Sequence, residues 1–255
     1  MPNNIIPEKH ELEKLRDFAT KPFRRHESRF TGRPHLWIDD EDRQPLRLSI
    51  GMSRDILETW FMTFTHKKKL FEKIRLEIIT DDQEMTLQYL KKGQVSCCFS
   101  TAAKPIANCE AKYIGDMRYF LVASKKFQEQ YFLGSNNKNN LLSAPAIIFD
   151  QNDYLHDRYL EKFFRIKTEQ PNYHTIPSVQ GFREFVRQGL AYALIPEADV
   201  WMDIEKNRLV NLFPDKVWEM PLYFHHWQLG HEHYNDMIEQ LTSFSIEALA
   251  KFSSR

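Results

Sequence analysis

LRLSIGMSRDILETWF (46–61) and RLEIITDDQEMTLQYLKKGQVSCCFS (75–100) together decide the fold class. Residues 46–50 read as a short strand, and Gly51 to Arg54 as the turn that opens a helix. Ile56, Leu57, Trp60, Phe61 and Phe64 then recur at helical spacing towards His66. Residues 75–80 predict a second strand. Asp81 and Asp82 are suited to cap a helix that carries Met85, Leu87 and Leu90 and stops at Gly93. Residues 94–100 predict a third strand. Two strand–helix–strand units in succession imply a parallel sheet with right-handed crossovers.

The alternation continues towards the C-terminus. A strand over 117–124 precedes a helix over 125–132 and a polar, solvent-facing loop over 134–140. AIIFD (146–150) starts a second series, with helices over 154–164, 178–188 and 197–206 and strands over 173–176 and 191–195. Strands over 209–213 and 220–227 follow, and an amphipathic helix runs from about Tyr234 to Phe252. The last strand and helix have no partner in the second series, so the chain is expected to return to the first. The expected architecture is a two-lobed α/β protein, its two α/β sheets joined by crossover segments near 117–124 and 218–226. Lobe I takes residues 46–119 and 218–255, and lobe II takes 120–217. Residues 1–45 read as a tether: Glu8 to Ala19 can form a short helix, but the apolar residues are too few to close a core.

Lys+Arg and Asp+Glu balance at 35 each, so the chain has no overall basic field of the kind that marks a nucleic-acid binder. Cys97, Cys98 and Cys109 build no disulfide framework and match no zinc spacing. They read as buried small hydrophobes in a reducing compartment. His225, His226, His231 and His233 read as surface histidines, not metal ligands. The N-terminus has no apolar signal segment and no stretch reaches membrane-spanning length, which predicts a cytoplasmic protein. GxGxxG, P-loop, GxSxG and HExxH patterns are absent, so neither catalysis nor a cofactor is expected.

The remaining candidates are strand and helix ends. Ser53, Arg54 and Asp55 lie at the first strand-to-helix turn, and Ser100 and Thr101 end the third strand. Asp150 ends the first strand of the second series, where Ser178, Val179 and Gln180 begin a helix. Ligands of open α/β sheets bind beyond the carboxyl ends of strands, and clefts between lobes favour pockets. Helix N-termini at 53–55 and 178–180 would favour a carboxylate, and Asp150 a cation. An amino acid or similar zwitterion offers both groups. Taken singly, each of these residues serves equally well as a helix cap.

Six segments carry a resemblance to a known family: PLRLSIGMSRDILETWF (45–61), RLEIITDDQEMTLQYLKKGQV (75–95), DMRYFLVASKKFQEQYF (116–132), LLSAPAIIFDQND (141–153), FVRQGLAYALIPEADV (185–200) and MPLYFHHW (220–227). In this order and spacing the chain from about residue 45 resembles the effector-binding domain of LysR-type transcriptional regulators, closest to their arginine/lysine-responsive, ArgP-like branch. The resemblance implies a type 2 periplasmic-binding-protein-like fold, a homodimer or higher oligomer, and lysine or arginine as effector. It places ligand contacts at Ser53, Ser100, Asp150 and Ser178, and further at Thr101 and Gln180. Arg54, where relatives carry a small residue, is expected at the pocket mouth. Residues 1–45 depart from the family's N-terminal winged helix-turn-helix, with no recognition helix after a tight turn. Only HLWIDDED (35–42) looks familiar, as the end of a linker. DNA contact is therefore expected only through a missing or partner-supplied helix-turn-helix. The alternative is a stand-alone cytoplasmic amino-acid-binding protein.

Overall fold

Strand β1 (Leu46–Met52) is sealed on both faces: Leu48, Ile50 and Met52 are buried, and so is Ser49 on the opposite side. A strand buried on both faces belongs inside a parallel sheet. In the computed structural model, β1 pairs in parallel with β2 (Ile74–Thr80) along its whole length and with β3 (Cys97–Ser100) at Ile50↔Cys97 and Gly51↔Cys98. The structure describes residues 46–66, 72, 74–132, 134, 138–151, 153–167, 172–229 and 232–253. The helix expected over 8–19, the charged runs before residue 45, and His231 lie outside them.

Helix α1 (Arg54–Thr59) follows β1 but is shorter than the helix expected to reach His66. A 3-10 segment, Phe61–His66, replaces its second half. In that tighter winding, residues three apart line up. Phe61 and Phe64 are both buried; Phe64 packs 4.7 Å from Phe244 and Trp60 lies edge-on to Phe99 at 5.3 Å. Helix α2 (Gln83–Lys91) connects β2 to β3. An added Cβ at Gly51 would meet Cβ of both Thr86 and Cys98 at 3.2 Å, so glycine lets α2 settle against the sheet.

β4 (Cys109–Ser124) begins eight residues earlier than expected from the apolar run at 117–124. Its first half carries Glu110, Lys112 and Asp116 between buried Cys109, Ile114 and Met117, a half-exposed pattern that masks the strand. The chain divides into two compact units between Gly115 and Asp116, between Met220 and Pro221, and again between Lys251 and Phe252. β4 and β9 (Trp218–Trp227) each cross a division, and they are hydrogen-bonded neighbours. In the first unit the strand order is β2-β1-β3-β9, with β9 antiparallel to β3. The final helix, Glu232–Ser253, buries Tyr234, Met237, Ile238, Leu241, Ala248 and Leu249 at helical spacing. Cys97, Cys98 and Cys109 are buried here, and loss of solvation raises all three thiol pKa values, that of Cys109 to about 12.

In the second unit, α3 (Lys125–Tyr131) and α4 (Lys138–Ser143) follow β4. α4 takes residues 138–140 out of the loop expected over 134–140: Leu141 and Ala144 are buried three residues apart, and Asn140 donates to the Tyr131 carbonyl at 2.5 Å. Next come β5 (Ala146–Ile148), α5 (Leu155–Phe164), β6 (Tyr173–Thr175), α6 (Val179–Arg187), β7 (Ala193–Pro196), α7 (Glu197–Glu205) and β8 (Leu209–Asn211). β5 and β6 pair in parallel, while β7 and β8 run antiparallel to β4. Phe120, Ile147, Val186, Ile195, Val200 and Leu209 pack into one core. Among the described residues no helix is long and apolar enough to cross a membrane.

A buried carboxylate ties α6, α7 and the turn before β8 together. Asp203 accepts from Arg187 Nε at 2.7 Å and from Arg208 Nε at 2.5 Å, and its side chain is 1% exposed. Asp203→Asn leaves two guanidinium groups facing a neutral amide, and should cost about 2–4 kcal/mol. Urea unfolding checks this; Asp199→Asn, whose carboxylate pairs with the half-buried Arg183, should shift the midpoint less.

Candidate functional site

The carboxyl ends of β1 and β3 are adjacent in the parallel sheet, so Ser53 and Ser100 emerge at the same edge. Gln83, the first residue of α2, joins them. Ser53 Oγ accepts from Ile56 N and from Gln83 Nε2, both at 3.3 Å. Ser100 Oγ donates to the Gln83 carbonyl at 3.0 Å and accepts from Ala102 N at 3.3 Å. Thr101 follows, half-buried. α1 has only six residues, so the helix field expected at 53–55 is that of barely more than one turn.

Asp81 holds the neighbouring turn: its carboxylate accepts from Asp82 N at 2.8 Å and from the Tyr89 hydroxyl. That hydrogen bond to an anion is the main reason the Tyr89 pKa is raised. Buried His225 on β9 faces Ala102, whose carbonyl lies 2.7 Å from Nε2. Burial lowers the His225 pKa, so its neutral form with the proton on Nε2 fits this contact. His226 is engaged elsewhere, 3.5 Å from Glu110. Among the described residues no group of three or more His, Cys, Asp or Glu could hold a metal ion.

The other candidates lie in the second unit, at the ends of another parallel pair. Ile148 pairs with Thr175, and Ile176 N donates back to the Ile148 carbonyl at 3.1 Å. Phe149 and Asp150 therefore leave β5 beside the segment that leads to Ser178. Ser178 Oγ accepts from Gly181 N at 3.2 Å and caps α6; Ser178 and Gln180 are exposed, and Asp150 is half-buried. Asp153 closes the loop that carries Asp150, accepting from Phe149 N at 3.0 Å and Leu155 N at 3.2 Å. Burial raises its pKa against the pull of those two amides, and Asp150 and Asp157 add to the rise.

His156, next to this loop, is fully buried between Tyr173 and Tyr192, with ring centroids 5.2 and 5.4 Å away. Neither ring nitrogen has a hydrogen-bond partner among the described residues, and burial pushes the pKa down to about 4. Gln83, Asp153, His156 and His225 were not among the expected site residues. The Asp-x-x-Asp spacing of 150 and 153 is the signal that could have found Asp153, since short-range Asp side chains often close loops on their own backbone.

Comparison with known proteins places these features in context. The family profile of the LysR substrate binding domain matches residues 41–241. Over 211 residues the chain is 31% identical to the HTH-type transcriptional regulator ArgP of Vibrio cholerae serotype O1, covering 83% of this chain and 71% of that protein. Among solved structures it is similar to the C-terminal domains of a LysR family protein from Agrobacterium tumefaciens, at 26% identity and TM-score 0.70, over 80% of this chain and 96% of that one. It is also similar to full-length LysG of Corynebacterium glutamicum with bound effector Arg, at 25% identity and TM-score 0.73, over 80% and 69% of the two chains. These likenesses show the type 2 periplasmic-binding-protein-like α/β fold of LysR effector domains.

The buried histidine makes a pH prediction. Below its ordinary pKa of 6.5 the unfolded chain takes up a proton on His156, which the native state refuses until about pH 4. Stability therefore falls as pH drops through that window, with His225 acting in the same direction. His156→Phe should flatten this acid sensitivity and change stability at pH 7 by no more than about 1 kcal/mol, because no hydrogen bond is lost. Thermal unfolding between pH 4 and 8 measures both, and an unchanged slope would count against His156.

Proposed function

Because the chain belongs to the LysR substrate-binding-domain family, we propose that it is the sensor of an ArgP-type transcriptional regulator and that its effector is a basic amino acid, lysine or arginine. The observation that carries this reading is the likeness to LysG, a regulator whose structure holds Arg as effector. The chemistry of the two residue sets supports it. Ser53 and Thr101 supply hydroxyls at the ends of β1 and β3, suited to a carboxylate, and Ser100 steadies the same edge through its hydrogen bond to the Gln83 carbonyl. Asp150 supplies an anion for a cationic side chain, and Ser178 and Gln180 supply polar groups at the start of α6. A basic amino acid carries both kinds of group.

In this reading the protein works in the cytoplasm as a homodimer or higher oligomer. It influences transcription through a helix-turn-helix, whether on the same polypeptide or on a partner. The effector acts by binding one arrangement of the oligomer more tightly than another, since only differential affinity moves such an equilibrium.

Two measurements test the reading. L-arginine or L-lysine at about a hundred times its dissociation constant should stabilise the protein by about 2.7 kcal/mol, seen as a rise in melting temperature that an uncharged amino acid does not produce. Asp150→Ala should weaken binding of either by about tenfold or more in calorimetric titration, from loss of a charge-assisted contact. A flat titration with every basic amino acid would exclude this effector class.

A further inference from the structure

The final helix (Glu232–Ser253) carries a groove that the effector reading leaves unused. Asp236, Glu239, Gln240, Ser243, Phe244 and Glu247 line a cavity of about 340 Å³. Their spacing of three and four puts them on one helix face, and all but Phe244 are exposed. Among the described residues no ion pair engages Asp236, Glu239 or Glu247. The floor is aromatic. Phe244 is half-buried, with ring centroids 4.7 Å from Phe64 and 6.3 Å from Trp60. Trp60 is 3% exposed, and its Nε1 hydrogen meets no acceptor among the described residues. Three unpaired carboxylates around an aromatic floor suit a cationic chain that also carries aromatic side chains.

The polypeptide itself has such a segment. Lys21, Arg24, Arg25, Arg29 and Arg33 stand with a single acid, Glu27, and Phe23 and Phe30 lie among them. Reach fits as well as charge. Arg33 is thirteen positions before Leu46, the first residue of β1, and β1 shares a compact unit with the final helix up to Lys251. At about 3.3–3.6 Å per residue, those thirteen steps span up to about 45 Å. The whole final helix, 22 residues at about 1.5 Å each, is about 33 Å long.

We propose that the groove holds residues 21–33 of the same chain, with the arginines against Asp236, Glu239 and Glu247 and a phenylalanine over Phe244. Exposed ion pairs contribute little one at a time and are weakened by salt, so the contact depends on several acting together. It ties the polypeptide that precedes β1 to the first unit. The assignment is independent of the effector and of its site.

Trypsin reads the contact, because it cuts after Arg24, Arg25 and Arg29 only when the segment is released. The full chain is digested beside a synthetic peptide of residues 18–36, and initial cleavage rates are followed by mass spectrometry. In the wild type these sites should be cut at least about tenfold more slowly than in the peptide. Asp236→Asn, Glu239→Gln and Glu247→Gln together should bring the rates to within about twofold of the peptide, with the melting temperature checking that the fold is kept. About 0.5 M sodium chloride should do the same to the unaltered protein while leaving the peptide rate nearly unchanged. Wild-type rates equal to those of the peptide would overturn the proposal. Protection that survives either the triple substitution or the salt seats the segment elsewhere and overturns the groove as its place. Protection that falls away on dilution assigns the groove to a second copy's segment, and this too overturns the proposal.

Discussion

The enclosure of β1 governs the first unit. It pairs with β2 along its length and with β3 at Ile50 and Gly51, and residues 48–52 are buried on both faces while Arg47 is exposed. A single-residue slip would exchange Leu48, Ile50 and Met52 for Ser49 and Gly51. Ser49 pins the register further, because its hydroxyl lies 3.0 Å from that of Ser96 and accepts from Ser96 N at 3.0 Å. The outlet left to such a strand is its carboxyl end. Ser53 stands there, and the polar groups gathered around it follow from the same parallel arrangement that buries the strand.

Much of this was legible from residue order because burial on both faces, or on one face of a helix, writes a regular apolar pattern. β1, β2, β3 and the helices after them could be read that way. Elements missed or misjudged share a different cause. The break after Thr59 depends on where Phe61 and Phe64 must reach, which is a matter of Phe99, Phe224 and Phe244 far along the chain. The first half of β4 is a half-exposed strand with charged residues, and its pairing, not its composition, makes it a strand. α4 has six residues and an apolar face of Leu141 with Ala144 just beyond it, too little pattern to stand out among asparagines.

The candidate site divides similarly. Ser53, Ser100, Asp150 and Ser178 are legible because each ends a strand or starts a helix, and such positions follow once the elements are known. Gln83 is not, since its importance lies in a side chain reaching a residue thirty positions away. Asp150 and Asp153 are equally acidic in the sequence, but the fold gives them different work. Asp153 is turned onto the backbone of its own loop, whereas Asp150 remains half-buried at the end of β5. His156 and His225 are both buried, yet only His225 finds a carbonyl; composition alone says nothing about that difference.

The enclosed cysteines have a practical consequence. Cys97 and Cys98 are inaccessible, Cys109 is 8% exposed, and all three hold their protons well above neutral pH. Thiolate is the reactive form, so maleimides and methanethiosulfonates find little to attack in the folded protein. A cysteine placed on the surface of each unit would then carry a fluorophore or spin label against a silent native background. Distances between the two units could be followed as an effector is added, without first rebuilding the core around three missing sulfurs.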